Sequence, residues 1–218
     1  MAQSMTLSEL AQTVRSHQQS KRDFHAPTNA LTCLNNGRIM FPVGEAQQMF
    51  RPTRPAMRQI GEHCGIPAKY FDRMFDEAPE LLAHNVNHWF QDKPVTQMVR
   101  TLGDNLRAFL GPRYRPLDNA DCLAAVYPKL EEYHAQIISC SVTETKMYLK
   151  AQIPGRSVEV KAEDVRWGEG HNPIHVLRPG IVISNSETGH GAVSIQPGVH
   201  EQHCSNLMVM SEKAMRKL

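Results

Sequence analysis

The residues best placed to do chemistry lie between Lys93 and Pro116. Lys93, Arg100, Arg107, Arg113 and Arg115 stand there against Asp104 alone, five cations to one anion. The resulting local charge of +4 is twice the +2 of the whole 218-residue chain. Tyr114 sits between two arginines in Gly111-Pro112-Arg113-Tyr114-Arg115-Pro116. A guanidinium fork matches the oxygens of a phosphate, and a phenol ring offers a face on which a base can stack. The expectation is therefore a nucleic-acid surface in which Arg100, Arg107, Arg113 and Arg115 contact phosphates, Tyr114 stacks and Lys93 adds charge. The competing reading is a solvated strand face closed by a rigid, proline-bounded turn.

Three other clusters are weaker. Met57 to Arg73 has the outline of a helix-turn-helix, with Gly61, Gly65, Ile66 and Phe71 where two crossing helices need small, turn-forming and apolar residues. Its second helix would present Ala68, Lys69, Asp72 and Arg73, a poor base-reading set, so a structural helical hairpin is expected. His200, His203 and Cys204 offer two imidazoles and a thiol, and His171 and His175 lie four apart, a set that could serve tetrahedral zinc. Pro173 keeps the latter pair off a regular helix, and no established ligand spacing is matched, so no metal is expected. Asn185-Ser186-Glu187-Thr188-Gly189 carries an amide, a carboxylate and hydroxyls but lacks the pattern of a nucleophile elbow or a phosphate loop, and it reads as a turn. No cysteine has an evident His and Asp set, so no catalytic residue and no cofactor is assigned.

The elements that must position these groups follow from periodicity and turn chemistry. Thr6-Leu7-Ser8-Glu9 is a capping-box pattern, and Leu7, Leu10, Ala11 and Val14 continue at helical spacing before the polar run Arg15 to Arg22. A hairpin is expected from Ala30–Leu34 and Arg38–Val43 around Asn35-Asn36-Gly37. Helices are expected over Thr53–Cys64, Ala68–Phe75 and Pro79–Gln91. The clearest hairpin is Val95–Leu102 with Leu106–Leu110 around Gly103-Asp104-Asn105. A helix should start near Asp118 and kink or break at Pro128. Ala135–Val142 pairs with Lys146–Ile153, and Val176–Ser184 and Ala192–Ile195 flank the 185–191 loop. Residues 154–174 read as an irregular loop, and Cys204 to Leu218 as a basic helix.

Helices and strands are segregated and do not alternate strictly, which argues α+β: an antiparallel sheet or meander with a long basic hairpin and helices packed on one face. The expected organisation is an N-terminal helical arm over 1–24 and a single domain over 25–218. Hydrophobic residues at 41% suffice for a core, while five widely spaced cysteines, odd in number, argue against a disulfide framework. The chain has no apolar stretch near the roughly 18 residues of a membrane span and no recognisable leader, so a cytoplasmic protein is expected.

Three segments carry a family resemblance. They are Leu106 to Asn119, Gly180 to Ser194, and Cys204-Ser205-Asn206, joined by Gly65 to Tyr70. Over roughly residues 25–210 the chain resembles the phage/plasmid-like protein family, an uncharacterised domain found on prophages and plasmids. The resemblance implies a genetic context, a mobile element, and no catalytic residues. The element order, a basic hairpin, a helix and a β meander, is similar to ring-forming single-strand annealing proteins of the Red-beta-like and Rad-type groups, an analogy of fold order that does not establish function. Together these imply an accessory protein that binds single-stranded DNA, assembles as a homo-oligomer and anneals strands in recombination. A protein-interaction module that inhibits or recruits a host partner, and a zinc-dependent enzyme, are the alternatives.

Overall fold

The structure, a computed structural model, describes residues 4–155, 157–160, 175–201 and 207–209. It is a mixed α+β protein, as the segregated pattern predicts, and its chain divides into two compact units. Arg15–Pro116 with Glu187–His190 form a hairpin unit. Met1–Val14, Leu117–Ser186 and Gly191–Leu218 form a meander unit. The expected arm over 1–24 and single domain over 25–218 therefore give way to two units. The reason is that the apolar residues collect into two clusters, each of which can bury a sheet face.

The hairpin unit holds a six-stranded sheet. Its strands are β1 (Lys21–Pro27), β2 (Thr32–Cys33), β3 (Ile39–Val43), β4 (Ala46–Pro52), β5 (Thr96–Leu102) and β6 (Asn105–Leu110), in the order β1-β5-β6-β4-β3-β2. All pairs are antiparallel except β4 with β6. Gly103 closes the β5–β6 turn at φ 55°, a left-handed conformation that glycine adopts without steric cost. Helices α2 (Arg54–His63), α3 (Ala68–Glu77) and α4 (Pro79–Asp92) supply Met57, Ile60, Phe71, Met74, Leu82 and Phe90 to a core shared with Phe41, Val99 and Leu106 of the strands. Pro55 in the first turn of α2 and Pro79 at the start of α4 lie where a missing N–H costs nothing, and the Thr53 side chain accepts from the Ala56 N–H.

The meander unit holds β7 (Gln136–Val142), β8 (Met147–Gln152), β9 (Val158–Val160), β10 (His175–Asn185), β11 (Ser194–Glu201) and β12 (Leu207–Val209), all paired antiparallel. Alternation along β8 sends Met147, Leu149 and Ala151 into a core with Leu10 and Val14 of α1 (Leu7–Ser20) and Cys122 and Leu130 of α5 (Asn119–Glu132). The capping box forms as expected. Glu9 accepts from the Thr6 N–H at 2.7 Å, and Thr6 Oγ1 accepts from the Glu9 N–H at 3.2 Å.

Several expectations are corrected. The polar run Arg15 to Arg22 does not all lie in an N-terminal helical arm. Helix α1 continues to Ser20 and the chain then enters strand β1. Strand β4 covers Ala46–Pro52, a stretch to which no element was assigned. Of the two outcomes expected at Pro128, a kink or a break, the break does not occur, because α5 runs on to Glu132. Leu207–Val209 is a strand on β11, where a helix was expected, and Val158–Val160 is a strand in the segment read as irregular.

Candidate nucleic-acid interface

Strand β5 lies between β1 and β6, and all of Gln97 to Thr101 is buried. Val99 faces the helix-side core, so its neighbour Arg100 points to the opposite face. Arg100 is 0% exposed. Its Nε and Nη2 donate to the two carboxylate oxygens of Asp23 at 2.8 and 2.9 Å, and Nη1 donates to the Glu187 carbonyl at 2.8 Å. Asp23 is the cross-strand partner of Arg100 in the β1–β5 register.

Arg107 reaches the interior by a different device. Arg100 pairs with Ala108 and Thr101 with Leu106, so Arg107 is the extra residue of a β-bulge. The bulge explains how Leu106 and Phe109, three apart, both enter the same core. Arg107 is 7% exposed, and its Nη1 donates to Glu187 Oε2 at 2.7 Å. Arg100 and Arg107 were expected on a phosphate-binding surface; they are instead buried in ion pairs. A central strand covered on both faces admits a cation only when an acceptor is buried with it.

The remaining members of the predicted set are placed differently. Lys93, Arg113 and Arg115 are exposed, and Tyr114 is half-buried. Lys93 precedes β5 and the Arg113–Arg115 segment follows β6, so in an antiparallel pair all four lie at the open end of the hairpin. Among the described residues, Lys93, Arg113 and Arg115 make no ion pair with a carboxylate. The Tyr114 N–H donates to the Gly111 carbonyl at 3.0 Å, which fixes the turn. Of the six expected residues the fold thus groups four at one end and withdraws two into the sheet.

The helix-turn-helix-like run is a helical hairpin. Gly65 turns it at φ 66°, and Gly61 lies against the Phe71 ring. Its arginines, with Arg54 just before the run, pair with acids on the same helices. Arg54 pairs with Asp76 and Asp72, Arg58 with Asp72, and Arg73 with Glu77. The Arg54 hydrogen bond holds the Asp76 carboxyl below the usual carboxylate range. Such a surface has little net charge to offer phosphates.

The 185–189 loop is structural. Asn185, Ser186, Glu187 and Thr188 are all buried. In the meander unit, Asn185 Nδ2 donates to the Leu117 carbonyl and to Asn119 Oδ1, and Ser186 Oγ donates to the Thr145 carbonyl. In the hairpin unit, Gln59 Nε2 donates to the Thr188 carbonyl while its Oε1 accepts from the Phe109 N–H. Glu187 is the functional-looking residue that sequence reasoning did not connect to the arginines. It lies 80 positions from Arg107, and no local pattern marks the pair.

His171, His203 and Cys204, together with the side chains of His175 and His200, lie outside the described residues. Among the described residues no group of three or more His, Cys, Asp or Glu could hold a metal ion. Burial pushes the Cys33 thiol up to about 11 and the Cys64 thiol up to about 12, with the neighbouring Cys33 adding to the latter, and Cys122 and Cys140 are raised by the same cause. None of these four is poised as a thiolate nucleophile at neutral pH. Among the described residues no helix is long and apolar enough to cross a membrane. Comparison with protein-family models, with curated proteins and with solved structures finds no match, so the family resemblance rests on the motifs alone.

Proposed function

We propose that the protein binds single-stranded DNA as an accessory factor of a mobile genetic element, using Arg113 and Arg115 for phosphates, Tyr114 for stacking and Lys93 as a supporting charge. The observation that carries this reading is the open end of the β5–β6 hairpin. Three exposed cations without a carboxylate partner among the described residues flank a partly buried tyrosine held in a proline-bounded turn. The rigid turn limits the entropy lost when a strand docks, and a stacking ring tolerates any base. Strand annealing needs no covalent chemistry, only many subunits along a strand, so the protein acts as a homo-oligomer in this reading.

Fluorescence anisotropy with labelled single- and double-stranded oligonucleotides, titrated at several salt concentrations, tests it. Preference for single strands with affinity falling as salt rises is the expected result, because phosphate contacts release counterions. Absence of binding at low salt overturns it.

A second reading is a protein-interaction module. It is favoured by a shallow groove of about 400 Å³ in the meander unit, lined by Leu7, Tyr127, Leu130, Ala135 and Ile137, with Tyr127 41% exposed. Recovery of one stoichiometric host protein together with no DNA affinity selects it.

A further inference from the structure

Strand β1 ends the six-stranded sheet on one side, and the two-residue β2 ends it on the other. The direction of the β1 backbone follows from its bonds to β5. The Thr28 N–H donates to the Val95 carbonyl, the Gly103 N–H to the Ser20 carbonyl, and Thr101 Oγ1 to the Arg22 carbonyl. Even-numbered residues therefore bond inward to β5, while Asp23 and His25 point their N–H and C=O groups outward. Among the described residues, none of these outward groups has a hydrogen-bond partner. Both residues are exposed. Asp23 is exposed as a whole although its side chain keeps only 29%, so its backbone is open to solvent.

Edges are ordinarily blunted by charge and proline, and β1 carries Lys21, Arg22, Asp23, His25 and Pro27. Those same residues favour one pairing over its neighbours. When the seven residues of β1 align in full and antiparallel with a second β1, Phe24 lies on the two-fold axis against its own copy. Asp23 of each chain then lies opposite His25 of the other. These are the outward-bonding residues, so each opposed pair exchanges an N–H···O=C bond in both directions. The imidazole can donate to the facing carboxylate and, when protonated, adds the opposite charge. Phe24, half-buried with its ring 5.4 Å from that of Phe41, meets its copy in a pair without hydrogen bonds, where side chains approach most closely. Pro27, which has no N–H, falls at the margin of the ladder. A slip of two residues, the smallest that keeps the outward groups paired, sets Asp23 against Asp23 or His25 against His25.

We propose that β1 pairs with β1 of a second copy of this chain, antiparallel about Phe24, with Asp23 of each copy against His25 of the other. The contact is a homodimer interface that joins the sheets of two copies. It gives the self-association in the proposed function a location, but it rests on the edge strand alone and uses no residue of the Arg113-Tyr114-Arg115 turn.

Sedimentation velocity of the full-length protein, freed of nucleic acid, measures the association from low to high micromolar concentration. Amide hydrogen exchange followed by 15N NMR at both ends of that range locates it. A monomer–dimer equilibrium is expected, with exchange at Asp23 and His25 slowing as the dimer fills. His25→Asp sets like charges opposite in both pairs and should raise the dimer dissociation constant about tenfold. His25→Lys keeps opposite charges facing and should retain the dimer. Both substitutions fall on an exposed residue, and a thermal melt by circular dichroism checks that each variant is folded. A monomer at every concentration overturns the proposal, as does a dimer whose Asp23 and His25 amides exchange at the monomer rate. Equal dissociation constants for His25→Asp and His25→Lys overturn the register. None of these results is read from DNA binding, so failure of the pairing and failure of the single-strand reading are told apart.

Discussion

Asp23 and Arg100 are register partners across β1 and β5, and their side chains repeat the pairing of the backbones with two parallel hydrogen bonds of 2.8 and 2.9 Å. The arginine is fully buried while the Asp23 side chain keeps 29% exposure, so the pair joins the covered middle of the sheet to its edge strand. Asp23→Ala would leave a buried guanidinium with two vacated donors. A loss on the order of 3 kcal/mol is expected, because breaking a buried pair exposes the full desolvation penalty of the survivor. Urea unfolding of Asp23→Ala and of Arg100→Met/Asp23→Leu should show the double variant recovering much of that loss. A single variant as stable as the parent would refute the pairing.

The contact between Gly61 and Phe71 gives a prediction about the helical hairpin. A Cβ at Gly61 would lie 2.5 Å from Phe71 Cδ2, closer than side chains tolerate. Gly61→Ala gains about 1 kcal/mol of helix propensity. Against that stands overpacking that typically costs about 1–3 kcal/mol, so a net loss is expected. Phe71→Leu should restore space, so the double variant should be more stable than the sum of the two single changes requires. Strict additivity in thermal unfolding would place the two residues out of contact.

The buried thiols set an alkaline limit. Cys33 ionises near 11 and Cys64 near 12 in the folded chain, against 9.0 for an unperturbed thiol. The folded state thus holds more protons than the unfolded state from pH 9 upward. Stability is fully present below about pH 9 and falls as pH rises toward 11. For Cys33 the two-unit difference corresponds to roughly 2–3 kcal/mol over that window. Denaturant midpoints measured from pH 8 to 11 should decline less steeply for Cys33→Ala than for the parent. Identical slopes would show that other groups dominate the alkaline loss.

The sequence made some of this legible and concealed the rest. Turn chemistry at Gly103 and the capping box at Thr6–Glu9 identify their elements because both signals are local. Strand β1 escaped because Lys21, Arg22, Asp23 and His25 leave few apolar positions in it, as suits an edge strand. Strand β4 escaped because Gln47, Gln48 and Met49 carry no β signature and its pairing is set by partners elsewhere in the chain. The charge count over 93–116 treated five cations alike. Arg100 and Arg107 differ from the others in having apolar neighbours, Val99 and Leu106, and that flanking was the one available sign that they turn inward. Their acceptors, Asp23 and Glu187, lie 77 and 80 positions away, beyond any local pattern.

That distinction among the arginines makes the DNA-binding proposal sharp. Arg113 and Arg115 are exposed, so Arg113→Ala/Arg115→Ala should leave the thermal midpoint within the small range usual for surface changes, about 0.5 kcal/mol. Each phosphate contact to a single strand contributes about 0.7 to the slope of log affinity against log salt, so the double variant should lose about 1.4 of that slope along with affinity. Tyr114→Leu should weaken binding while leaving the salt slope unchanged, because stacking releases no counterion. Changes at Arg100 or Arg107 should act first through stability, with any effect on DNA following the fraction folded. If the double alanine variant binds with unaltered affinity and slope, the open end of the hairpin is not the interface, whatever the charge count over 93–116.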